Sequence, residues 1–236
     1  MGVDKVVAAP VGQRYYTPME VAAHSAPDDM WVSFHYKVFD LTALVKEHQG
    51  PLVEPLLKAA GTDITHWFAP LGDDGKVKVK THNDPVTNLE VPYCPYGHFV
   101  HVPPREPTVD WDNSFGLPWW QDDERYFVGL LSQKTRVIRV KNVLTGQEDG
   151  MEVPCEETVQ EIQHRYLELN WHANSYTWKV LKPYGGEWIF APLDMSLTLS
   201  DNGVPDEDYD FEVHEVDDNY YIPVIFLYYN DDLSVK

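Results

Sequence analysis

The sequence predicts an α+β fold. Two runs, Trp31 to Asp40 and Thr135 to Asn142, alternate apolar and polar residues with the period of half-buried strands. Short stretches with helical spacing follow both runs. The segment 83–121 adds a third observation: its seven prolines and three tryptophans exclude a long helix and favour short extended pieces. At 236 residues the chain can form one large domain or two small ones, and either can bury a real core.

Bulk composition narrows the function classes. A hydrophobic content of 43%, with 13% aromatic residues, argues against a disordered chain. The formal net charge of −20 makes nucleic acid and anionic membrane surfaces poor partners and favours a basic partner or a crowded assembly. No apolar run approaches the roughly 20 residues of a membrane span. The opening residues have neither the basic start nor the apolar core of a signal peptide. Cys94 and Cys155 are too far apart in sequence for a metal knuckle, so free thiols in an intracellular protein are the expectation.

Residues 1–13 read as a tail, mobile or ordered by a partner. Arg14 to His24 reads as a strand and then a capped helix. Thr17 is the N-cap, Pro18 takes the first helical position and Glu20 completes a capping box. Trp31 to Asp40 suits two short strands with a turn near His35. Leu41 to Glu47 makes a brief helix that runs into His48, and Gly50 with Pro51 stops it. A second helical stretch, Glu54 to Ala60, ends at Gly61, where a left-handed cap is expected.

Beyond Phe68 the chain has a loop, Ala69 to Gly75, and then Lys76 to His82. In the proline-rich segment Phe99-Val100-His101-Val102 alternates like a strand, which would place His98 and His101 on its two faces. A His-x-x-His metal reading lacks a third ligand nearby, so both histidines are expected to be structural. Trp119 and Trp120 are core or interface anchors.

In the second half, Thr135 to Asn142 and a strand through Met151-Glu152-Val153 form a hairpin across the turn Leu144 to Gln147. Glu157 to Leu169 is helical, with Val159, Ile162, Tyr166 and Leu169 on one stripe. Tyr176 to Leu181 and Pro223 to Tyr229 are strands. Between them, Asp201 to Asp218 holds nine acidic residues and no lysine or arginine, a solvated loop or a contact for a basic partner.

The first half resembles the haem-binding core of the cytochrome b5 family. Lys37-Val38-Phe39-Asp40-Leu41-Thr42, Glu47-His48-Gln49-Gly50-Pro51 and Ala60-Gly61-Thr62-Asp63-Ile64-Thr65-His66-Trp67-Phe68 follow the family's ordered motifs. Arg125 to Leu131 resembles its closing strand. The resemblance implies a divergent domain over 14–133 with a long insertion at about 69–123. It implies haem b held by His48, with Leu44, Leu57 and Phe68 as lining residues. The family's second axial histidine is absent from its usual place. His82 is the candidate for that role, His66 is the competitor, and a centre without a second histidine is the third alternative. Two neutral imidazoles would give a six-coordinate iron that passes single electrons and does no bond chemistry, so no enzyme is expected. In the family an H-P-G-G turn points the first histidine into the cleft. Here Gln49 and Pro51 alter that turn.

Residues 134–236 resemble a ubiquitin-like β-grasp, in the order strand, strand, helix, strand, short helical turn, strand. The chain ends without the paired glycines of a conjugated modifier, so a docking module is implied. Together the two halves are similar, nearly end to end, to a family of ciliary proteins that joins these two domains. His98 to Pro104, Phe115 to Trp120 and His172 to Lys179 carry that likeness. The resemblance implies a haem-binding component of the ciliary or flagellar axoneme, associated with radial spoke proteins and needed for coordinated beating. A haem-free scaffold subunit and a soluble one-electron carrier are the alternatives.

Overall fold

The computed structural model describes residues 14–72, 75–104, 111, 113–207, 211, 213–217 and 221–229. The expected tail, 1–13, and parts of the acidic stretch 201–218 lie outside them. The chain forms two compact units, Met1–Leu131 and Ser132–Lys236. Both mix helices with a five-stranded sheet, as the α+β expectation requires.

The first unit opens with β1 (Tyr15–Tyr16) and α1 (Pro18–Ala23). Its capping box is complete: the Thr17 N–H donates to Glu20 Oε2 at 2.8 Å, and the Glu20 N–H donates to Thr17 Oγ1 at 3.1 Å. Next come β2 (Ser25–Ala26), β3 (Asp29–Phe34) and β4 (Lys37–Asp40). His35 and Tyr36 join β3 to β4 with φ of 47° and 60°, so both central turn residues are left-handed without a glycine. The Thr65 hydroxyl accepts the His35 N–H at 3.0 Å and helps to hold this turn.

Two short helices follow, α2 (Thr42–Glu47) and α3 (Glu54–Lys58). Gly61 then turns left-handed, with φ of 73°. A Cβ there would meet the Ala22 backbone and the Ser25 side chain at 3.1 Å, so close approach also favours glycine. The insertion contributes the hairpin β5 (Thr81–Asn83) and β6 (Glu90–Pro92), and α4 (Asp123–Tyr126) follows it. Strand β7 (Phe127–Leu131) closes the sheet between β1 and β4, giving the order β1-β7-β4-β3-β2.

Phe99 to Val102 departs from the strand expected there. It is a turn, with the Val102 N–H on the Phe99 carbonyl at 3.2 Å and His101 left-handed at φ 68°. The alternation misleads because Phe99, Val100 and Val102 are all buried, which no period-two strand with one wet face would allow. These residues, with Trp119 and Trp120, complete the core formed by Phe34, Phe39, Leu44 and Phe68.

In the second unit β8 (Thr135–Asn142) and β9 (Glu148–Pro154) form the expected hairpin. Helix α5 (Val159–Tyr166) buries Val159, Ile162 and Tyr166 and is shorter than its apolar stripe suggested. The long strand β10 (Tyr176–Tyr184) turns at Gly185 and Gly186 into β11 (Glu187–Pro192), a strand the sequence reading did not assign. Strand β12 (Val224–Tyr229) runs parallel to β8 and antiparallel to β10, so the order is β11-β10-β12-β8-β9. This arrangement is compatible with the β-grasp. Asn202, buried on the loop before β12, joins Asp194 to Thr198: its Oδ1 accepts the Asp194 N–H at 2.8 Å, and its amide donates to both carbonyls at 2.9 Å.

Candidate functional site

Helix α2 ends where the sequence suggests it should. The His48 N–H donates to the Leu44 carbonyl at 3.0 Å, after which the backbone leaves helical geometry. Gly50, with φ of 130°, carries the chain away. The His48 side chain thus stands exposed at a helix end, beside Glu47, which pairs with Arg125 of α4.

The ring facing His48 belongs to His101. Their centroids are 5.4 Å apart and their planes are nearly perpendicular, at 88°. His101 is held on three sides. Phe115 stacks on it at 4.1 Å, its Nδ1 accepts the Trp119 backbone N–H at 3.0 Å, and its left-handed backbone fixes the direction of approach. Its Nε2 is buried and has no hydrogen-bond partner. Burial, and after it the neighbouring His48, lower its pKa from 6.5 to about 4. His101 is therefore a neutral imidazole at physiological pH, the form in which an imidazole coordinates a metal. His35 also has a buried, unpartnered Nε2, but its ring lies among Phe34 and Phe68, with no second imidazole facing it.

The other expected ligands lie elsewhere. His82 is exposed on β5, with its ring edge against Tyr93 at 5.9 Å. His66 is exposed in the single 3-10 turn Thr65–Trp67 and edges onto Trp67. The structure brings neither ring to His48. Of the lining residues, Leu44 and Phe68 are fully buried and Leu57 packs half-buried against the same cluster. Phe68 meets Phe34 at 4.7 Å and both Trp119 and Trp120 at 6.0 Å, so the insertion covers this wall with its own aromatic rings. His101, expected from the sequence to be structural, is the ring the structure brings to His48. The signal was present in His-Phe-Val-His, but its partner is His48, distant in the chain.

Among the described residues no cluster of three or more His, Cys, Asp or Glu could hold a metal ion. A metal here would need other donors besides the two imidazoles, as the four nitrogens of a porphyrin supply. Two imidazoles facing each other at the rim of an aromatic core are donors of the type that group takes, but at a centroid separation of 5.4 Å they leave no room for an iron between them, so the rings would have to move apart to hold it.

Residues 17–129 match the Cytochrome b5-like Heme/Steroid binding domain family. Cytochrome b5 domain-containing protein 1 of Xenopus laevis is 49% identical over 96% of this chain and 99% of its own length. The chain belongs to the cytochrome b5 domain-containing protein 1 family. The human member is 48% identical over 94% of this chain and 92% of its own length. Bovine cytochrome b5 is 41% identical over 25% of this chain and 43% of its own length. The first unit is thus a cytochrome b5-like domain, of a haem-binding class, enlarged by an insertion. Among the described residues no helix is long and apolar enough to cross a membrane.

Proposed function

We propose that this chain is a non-enzymatic, haem b-binding subunit of the ciliary or flagellar axoneme. In this reading it is associated with radial spoke proteins and contributes to coordinated beating. The observation that carries the haem assignment is the His48–His101 pair, with its buried, unpartnered Nε2, in a cytochrome b5-like domain. His48 and His101 would hold the iron from two sides, and Leu57 would offer its half-buried face to the ring. Haem with two imidazole ligands supplies one-electron redox chemistry and leaves no open position for substrate. The chain's own groups orient the donors: the end of α2 directs His48, and Phe115 stacks on the ring of His101. The axonemal assignment is supported by the near end-to-end motif resemblance, and iron redox state would then modulate beating.

Absorption spectra with added hemin, oxidised and dithionite-reduced, test the haem assignment. The wild type and His82→Ala should give a sharpened Soret band with split low-spin α and β bands, and His48→Ala or His101→Ala should lose it. Loss in His82→Ala with retention in His101→Ala would return the second ligand to His82. One observation favours a second reading, a haem-free scaffold: Trp119 and Trp120 already cover the Phe68 wall. Only the broad spectrum of nonspecific hemin in the wild type would establish that reading. Immunolocalisation along the axoneme, and loss of the protein in spoke-deficient cilia, test the location.

A further inference from the structure

The second unit carries the one Asn-Gly pair in the chain, Asn202-Gly203. Glycine has no Cβ to hinder its backbone nitrogen, so that nitrogen can reach the side-chain carbon of the preceding asparagine. In an open chain such a pair deamidates. The Gly203 nitrogen attacks Cγ of Asn202, the amide leaves as ammonia with the proton that nitrogen gave up, and a five-membered succinimide closes. Water then opens the ring at either carbonyl and leaves aspartate or isoaspartate.

The fold withholds both groups that this reaction needs. A helical turn ends here in a Schellman motif. The Val204 N–H donates to the Leu199 carbonyl at 2.9 Å and the Gly203 N–H to the Ser200 carbonyl at 2.8 Å, with Gly203 left-handed at φ 73°. The attacking nitrogen is thus already engaged. The leaving amide is held as well. Asn202 is 7% exposed, and its Oδ1 accepts the Asp194 N–H at 2.8 Å. Its Nδ2 donates to the Asp194 and Thr198 carbonyls at 2.9 Å, with that of Leu197 at 3.4 Å. Cγ cannot turn toward the Gly203 nitrogen until these bonds break, so the reaction waits on opening of the 194–204 loop.

The same loop seats helix α5. The Leu197 carbonyl accepts the Val159 N–H and the Met195 carbonyl the Gln160 N–H, both at 2.9 Å, which satisfies two of the donors that a helix start leaves over. Deamidation replaces the Asn202 amide by a carboxylate, which has no N–H to give and would face the Asp194 and Thr198 carbonyls. We infer that Asn202-Gly203 is a latent modification site. Folding protects it, an opening of the loop exposes it to ring closure, and the product cannot rebuild the loop that seats α5. This site is independent of the haem reading.

The test follows deamidation of Asn202 by peptide mass spectrometry, in the full chain and in a synthetic peptide of residues 200–206. Both are held at about pH 7.5, below the range in which Cys155 and Tyr166 ionise. The folded chain should react at least about tenfold more slowly than the peptide. In urea at the midpoint of the second unit, where about half the molecules are open, it should reach about half the rate of the peptide in the same urea. Conversion of the folded chain at the peptide's rate, or a rate that urea does not raise relative to the peptide, would overturn the assignment. Asn202→Asp should lower the urea midpoint and speed hydrogen exchange at the Val159 and Gln160 amides; complete failure to fold is the same effect at its limit. Asn174→Asp, which adds the same charge at an exposed position, should leave both unchanged. A midpoint and exchange in Asn202→Asp equal to those of Asn174→Asp would also overturn the assignment.

Discussion

The backbone N–H of Trp119 donates to Nδ1 of His101 across 3.0 Å. A neutral imidazole carries one proton, and a nitrogen that accepts a hydrogen bond does not hold it. The bond therefore places the His101 proton on Nε2, the buried nitrogen without a partner. Coordination through Nε2 requires that proton to move to Nδ1, and the Trp119 N–H must then lose its acceptor. The haem proposal accordingly predicts a local rearrangement around Trp119.

Nitrogen NMR should find the His101 proton on Nε2 in the protein alone, and on Nδ1 after hemin is added and reduced to its diamagnetic state. The Trp119 amide should exchange faster in the complex. An unchanged His101 tautomer on loading would exclude Nε2 of this residue as the ligand.

The Thr17 capping box gives a prediction about stability. Thr17 is 3% exposed, so replacing it leaves the Glu20 N–H without its acceptor in a place water reaches poorly. Thr17→Ala should lower the stability of the first unit by about 1 kcal/mol, and Thr17→Ser should restore most of it. Urea unfolding followed by a probe in the first unit measures both.

Much of the local structure was legible because its causes are local. Thr17 and Glu20 stand three residues apart, and that spacing alone forms the box. The end of α2 before Gly50 also follows from adjacent residues. The Gly185-Gly186 pair is an equally local signal for the β10–β11 hairpin. The His48–His101 contact is different. It depends on an irregular insertion, where left-handed geometry at His101 breaks the alternation that suggested a strand. Periodicity cannot report such a contact, because no repeating pattern creates it. His82 lay nearest beyond the loop in sequence, but its hairpin with β6 keeps it against Tyr93.

In the second unit, Arg165 and Glu157 form a buried two-pronged ion pair. Nε donates to Oε2 at 2.6 Å and an Nη to Oε1 at 2.7 Å, with side-chain exposures of 10% and 3%. Arg165→Met takes the two-pronged cationic partner from a buried carboxylate and should cost about 3–5 kcal/mol. Adding Glu157→Met should recover a large part of that loss, because the penalty lies in keeping a buried charge that has lost this cation. Chemical denaturation of the two variants distinguishes this from a simple loss of packing, which the second substitution would not repair.

The same unit should lose stability in alkali. Burial, and then Asp206, push the Cys155 thiol from 9.0 up to about 11. Burial and the hydrogen bond to Asp149 push the Tyr166 hydroxyl from 10.0 up to about 12. In both, folding disfavours the ionised form. The unfolded chain therefore releases its protons at lower pH than the folded chain. Stability is unaffected by these groups below about pH 9, falls as the unfolded thiol ionises between pH 9 and 11, and falls further as the unfolded tyrosine ionises between pH 10 and 12. Urea midpoints for the second unit should decline across this range. Cys155→Ala should flatten the first part of the decline, and Tyr166→Phe the second. Parallel curves for wild type and both variants would show that neither group governs the alkaline transition.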